Sequence, residues 1–123
     1  MPITPPPIEK TVSLVHKITL LYQDLYRLGK SLPKRDHFGI HATAEKLLLD
    51  MLELAIQAAY APKETKTGML ARLRITIEME KHIVRTMREM HIIENTAYMK
   101  LSVSLVELSK MTNGWLKYAE GAA

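Results

Sequence analysis

The sequence predicts an all-α protein, an up-down-up-down bundle of four helices. Three observations predict the bundle. Four long segments repeat apolar residues at helical spacing. Three short breaks separate them. No segment alternates polar and apolar residues with a period of two, so no strand is expected.

The first predicted helix runs from about Ile8 to Leu28, with Val15, Ile18, Tyr22 and Leu25 on one face. Gly29 and Pro33 end it, because glycine suits the residue after a helix and proline blocks propagation. The second is expected to start after Asp36, whose carboxylate can accept from first-turn amides, and to close at Pro62. Its apolar face comprises Ala44, Leu47, Leu48, Met51, Leu54, Ala55 and Ala58. The third starts between Glu64 and Gly68, capped by Thr65 or Thr67, and reaches about Met90. The fourth begins near Asn95, a good cap, and ends about Tyr118, with Tyr98, Leu101, Leu105, Leu108 and Trp115 sharing a face. The expected organisation is a proline-rich, polyproline-like arm at 1–7, the bundle at 8–119 and a frayed tail at 120–123.

Composition agrees with one globular domain. The chain has 123 residues, 47% hydrophobic and 24% charged, enough to bury a core without covalent staples. It has no cysteine, which excludes disulfides and thiolate metal sites and fits a cytoplasmic location. No run of about 18 apolar residues exists, so no membrane span is expected. The N-terminal stretch lacks the basic residue of a secretory signal. A net charge of +4 permits a nucleic acid or an acidic protein as partner.

The third predicted helix carries more than a core stripe. Leu70, Leu73, Ile77 and Val84 lie along one line; Ile75, Met79, Ile83 and Met90 lie along a second, well separated one. The second line is either a wide contact with the domain's own core or an interface with another subunit. Arg74, Lys81, Arg85 and Arg88 fall within about 60° of each other beside the core stripe. A solvated face with pairs such as Glu78 to Lys81 is the ordinary explanation. Three arginines favour phosphate or carboxylate pairing instead. No aromatic residue interleaves with the stripe within that helix, so the expected binding is sequence-tolerant and salt-sensitive, without base stacking.

Catalytic and metal chemistry find little support. His37 and His41 are four residues apart and could face one ion, but lack a third ligand; partly exposed histidines at a helix terminus are the expectation, and no metal or cofactor is assigned. His16, His82 and His91 are isolated, the glycines form no phosphate loop, and the acidic residues are expected on solvated faces. One enzymatic pattern stands out. Arg85 and His91, separated by five residues, resemble the Arg-x(4–6)-His motif of the higher eukaryote and prokaryote nucleotide-binding (HEPN) superfamily, small helical bundles many of which cleave RNA. Arg35 and His41 repeat the spacing, and Thr86 stands where that family often has Asn or Asp.

Two longer stretches point elsewhere. Residues 31–55 read SLPKRDHFGIHATAEKLLLDMLELA, and residues 105–118 read LVELSKMTNGWLKY. They resemble the basic turn with its following helix, and the closing Met-Leu-Gly-Gly-Trp-Leu pattern, of the Avd-like four-helix bundle proteins. Avd is the accessory variability determinant of diversity-generating retroelements; the proteins encoded in intervening sequences of 23S ribosomal RNA share the bundle. Leu32, Pro33, Lys34, Arg35, Asp36 and Phe38 match the turn, and Met111, Gly114, Trp115, Leu116 and Lys117 match the closing helix. Thr112 and Asn113 depart from the family's Leu and Gly, and Gly39-Ile40 reverses its Leu-Gly order. Gly114 is expected to allow close helix approach, and Trp115 to pack in the core.

The resemblance spans residues 8–118 and implies a basic, non-catalytic, barrel-like homopentamer. Such a protein binds a retroelement reverse transcriptase together with RNA and possibly DNA, and supports mutagenic retrohoming. Periodicity and charge nominate Arg74, Lys81, Arg85 and Arg88 as the nucleic-acid or partner-binding surface, and the matched turn adds Lys34 and Arg35. Ile75, Met79, Ile83 and Met90 are the candidate oligomer interface. A scaffolding bundle of unrelated role is the remaining alternative.

Overall fold

The computed structural model describes residues 8–121, with side chains from residue 13 onward. The expected arm at 1–7 and the last two residues of the expected tail lie outside the described residues. Five helices follow in order: α1 (Ile8–Leu28), a short α2 (Lys34–Phe38), α3 (Ile40–Tyr60), α4 (Lys63–Glu89) and α5 (Asn95–Gly121). Each long helix antiparallels its neighbour. The start of α3 meets the end of α1 where His41 reaches the Leu25 carbonyl. The end of α4 meets the start of α5 where Arg88 covers Tyr98. On the closing side, Lys17 pairs with Glu107, and Asp24 lies 3.9 Å from Lys100. The helices therefore form a ring in the order α1, α3, α4, α5, with α2 lying on α3.

Several expected boundaries shift. The predicted second helix is two helices, because the backbone breaks at Gly39 (φ −98°, ψ −113°). A Cβ there would lie 2.6 Å from the Arg35 carbonyl oxygen, so the break requires glycine. Asp36 is not the cap expected; it sits inside α2, which follows Pro33 with no side-chain cap. Neither Thr65 nor Thr67 caps α4, which starts directly after Pro62, a proline preset for a helix entry. Helix α5 continues to Gly121, through Glu120 and beyond the expected end at Tyr118.

The core is built from the predicted faces. Ile18 and Leu25 are buried with Leu14 and Leu21, and the apolar face of α3 is buried except for the half-buried Leu47. Leu70, Leu73, Ile77 and Val84 fill the centre from α4, and Leu101, Leu105, Leu108 and Trp115 from α5. Helix α5 runs unbroken through the buried Thr112 and the half-buried Asn113. Gly114 does not provide the close approach expected: it is exposed, and a Cβ on it would meet nothing within 4 Å. No described helix is long and apolar enough to cross a membrane.

One acid breaks the expectation that all acids are solvated. Glu80 is 1% exposed, at the centre of the bundle among Leu21, Leu25, Leu48, Val84, Leu101 and Leu105. Neither of its oxygens meets a donor among the described residues, and burial pushes its carboxyl up to about 9.

Helix α4 ends in a Schellman turn. The His91 amide donates to the Arg88 carbonyl and the Ile92 amide to the Met87 carbonyl. His91 occupies the left-handed position (φ 60°) that glycine usually takes. His91→Gly is expected to stabilise the protein by about 0.5–1 kcal/mol, after glycine's extra freedom in the unfolded chain is subtracted. A thermal melt of the two proteins checks this, and the variant should melt higher.

Candidate nucleic-acid interface

The six basic candidates occupy two places. Arg74 and Lys81 lie along the outer length of α4. Lys81 is engaged by Glu78 at 2.9 Å, the pair anticipated as the ordinary explanation of the stripe. Arg85 and Arg88 lie one turn apart near the end of α4. Lys34 and Arg35 are exposed on α2, at the same end of the bundle, and Arg35 sits 3.8 Å from Asp36. Helical rise puts Arg74 roughly 16 Å along α4 from Arg85.

An aromatic ring does join the stripe, contrary to the reading of α4 alone. Tyr98, from the first turns of α5, lies between the two arginines. The Arg88 guanidinium carbon sits 4.1 Å over its ring centroid, a cation–π contact. Its hydroxyl oxygen accepts from Ser102 and from Arg85, and these bonds hold the phenol below the usual tyrosine range. Neither arginine pairs with a carboxylate among the described residues. Tyr98 thus contacts both guanidiniums, that of the exposed Arg85 and that of the half-buried Arg88, an arrangement suited to phosphate oxygens. The signal was present in the sequence: Arg88 and Tyr98 stand at similar distances from the turn joining two antiparallel helices.

Beside Arg88 the turns at this end of the bundle enclose an open-sided cleft of about 1040 Å³. One wall is the segment joining α1 to α2, with Ser31, Leu32 and Pro33, together with Asp36 of α2. The other is the α4–α5 turn, including His91, Ile92 and Asn95. Arg88 lines the cleft and His91 enters it from its left-handed position, whereas Arg85 is held by Tyr98.

The second apolar line of α4 divides. Ile75, Met79 and Met90 are 62%, 50% and 57% exposed, so they make no wide contact with the domain's own core. Ile83 is half-buried and packs against the core. Met99, Val103 and Val106 on α5 are exposed as well.

The two histidines of α2 and α3 have a structural task. His41 is wholly buried, not partly exposed as expected, and its Nε2–H donates to the Leu25 carbonyl at 2.6 Å. Its Nδ1 lies 3.4 Å from a carboxylate oxygen of Glu45. His37 stacks on His41 at 5.6 Å, with its Nδ1 3.0 Å from the Gly29 carbonyl. Together they meet two carbonyls at the end of α1 and in the turn after it, those of Leu25 and Gly29. Among the described residues no group of three or more metal-ligating side chains converges.

Comparison with protein-family models, with curated proteins and with solved structures finds no match to this chain.

Proposed function

We propose that this chain is a non-catalytic accessory protein of the Avd type, which binds nucleic acid and a reverse transcriptase through its basic end and supports mutagenic retrohoming. The observation that carries the nucleic-acid half is the Arg85–Tyr98–Arg88 cluster: two guanidiniums in contact with one phenol, neither ion-paired to a carboxylate among the described residues. A fixed arginine fork loses little entropy on meeting phosphate. Lys34 and Arg35 extend the same positive end, and Arg74 extends it along α4. The polymerase half rests on the sequence resemblance. So does the pentamer, to which the exposed Ile75, Met79 and Met90 add an apolar surface for a second copy to cover. The expected location is cytoplasmic.

Light scattering tests the assembly. The expected mass is about five protomers, with a further increase when structured RNA is added. A monomer or dimer indifferent to RNA overturns the reading. Arg85→Glu with Arg88→Glu tests the surface. Affinity for RNA should fall roughly tenfold or more, and the dependence of log affinity on log salt should become shallower by about two phosphate contacts. Unchanged binding removes these arginines from the interface.

The ribonuclease reading retains one observation of its own. His91 is a non-glycine residue at positive φ lining a cleft, and such strained positions cluster at functional sites. His91→Ala separates the two readings: loss of RNA cleavage with intact affinity supports an enzyme, whereas no cleavage by the unaltered protein supports a binder.

A further inference from the structure

We propose that the cleft at the α2 end of the bundle receives one unpaired nucleotide of a bound strand, its phosphate on Arg85 and Arg88 and its base inside the cleft. This rests on the nucleic-acid reading above and goes beyond it, since a basic stripe alone accepts duplex and single strand alike.

Three observations carry it. Arg88 belongs to both places: its guanidinium covers Tyr98 and it also lines the cleft. A phosphate on the arginine fork therefore sits at the cleft's mouth. The volume of about 1040 Å³ is that of a small-molecule site, and a nucleoside fits well within it. The walls combine the two kinds of surface that suit a base. Leu28, Leu32, Ile92 and Ile93 offer apolar surface for its faces, and the planar groups of Arg88 and His91 offer stacking partners.

The polar groups then select an edge. Asp36, Glu89 and Glu94 line the cleft, three acidic residues around one site on a protein of net charge +4. Ionised carboxylates only accept hydrogen bonds. They repel a phosphate placed inside and reward a base edge that donates. Guanine presents two adjacent donors, its ring N–H and its exocyclic amine, which one carboxylate can accept together. Phosphate on the arginines with a guanine inside satisfies both halves; the reverse orientation satisfies neither.

The test compares labelled RNAs by fluorescence anisotropy: a single strand ending in unpaired guanosine, the same strand with an abasic end, and the same sequence as a blunt duplex. The guanosine-ended strand is expected to bind about tenfold tighter than the other two, the increment of one stacked base. Ser31→Trp and Asn95→Trp fill the cleft from opposite walls without changing charge, and circular dichroism checks that each folds. Each should bring the guanosine-ended strand down to the duplex's affinity and leave duplex binding unchanged. Equal binding of guanosine-ended and abasic strands, or a preference that survives both tryptophans, overturns the proposal while leaving the basic surface standing. Absence of any RNA binding overturns both. Guanosine monophosphate binding alone as tightly as the strand would assign the cleft to a free nucleotide and overturn the strand-end assignment.

Discussion

Glu80→Leu is expected to stabilise the protein by about 3 kcal/mol at neutral pH and to abolish most of the pH dependence of its stability. The folded carboxyl is raised from 4.5 to about 9 because the six apolar side chains around it solvate no charge. The void beside it is too small to admit a water molecule. Below pH 4.5 both folded and unfolded chains hold the proton, and the acid is at its least costly. From there up to about 9 only the folded chain holds it, so stability falls by about 1.4 kcal/mol per pH unit. Leucine removes the linkage and fills the same space with a side chain that has no hydrogen bonds to lose. Urea unfolding at about pH 5 and about pH 8 checks both statements. The unaltered protein should be several kcal/mol weaker at the higher pH, and the variant nearly flat. Glu80→Gln should also be flat but gain less, since its amide remains unpartnered. A variant less stable than the original would mean that the acid has a partner in solution.

Gly29→Ala is expected to act in the opposite direction, costing about 2–3 kcal/mol. Gly29 is buried beneath the two imidazoles, and a Cβ on it would lie 2.6 Å from His41 Cε1 and 3.0 Å from His37 Nδ1. Neither ring can withdraw freely. His41 is enclosed on all sides and tied to the Leu25 carbonyl, and His37 is stacked against it. Moving them breaks the hydrogen bond and leaves a carbonyl at the end of α1 without a donor in a buried place. The measurement is again the unfolding midpoint. Gly68→Ala serves as the control, because it lies mid-helix with open space around it and should stabilise slightly.

The four long helices were legible because their burial faces repeat at the helical period and two of their three breaks carry a proline, Pro33 and Pro62. The split of α2 from α3 was not, because Gly39 stops the helix through its own φ and ψ and its distance from the Arg35 carbonyl, a clash invisible to periodicity. Glu80 could have been found: its place on the helical wheel falls between Leu73 and Met87, both buried. The general preference of acids for solvated faces hides it. Periodicity places Tyr98 on its own helix face, and only the packing of α4 against α5 brings it to Arg88. The basic residues could be named from the sequence, but which of them stand together is a property of tertiary packing.

The ring order also governs how the chain finds its structure. Three of the four contacts around the ring join long helices linked by a short connection, so most of the core assembles from segments close along the chain. Such topologies fold quickly. The seam between α1 and α5 is different: it joins the two ends of the described chain and closes the longest loop, which makes it the costliest contact in chain entropy. Two cross-seam ion pairs, Lys17 with Glu107 and Asp24 with Lys100, lie along it. Opposite charges at matched heights favour the antiparallel register there, so the last step of folding is an alignment as well as a collapse.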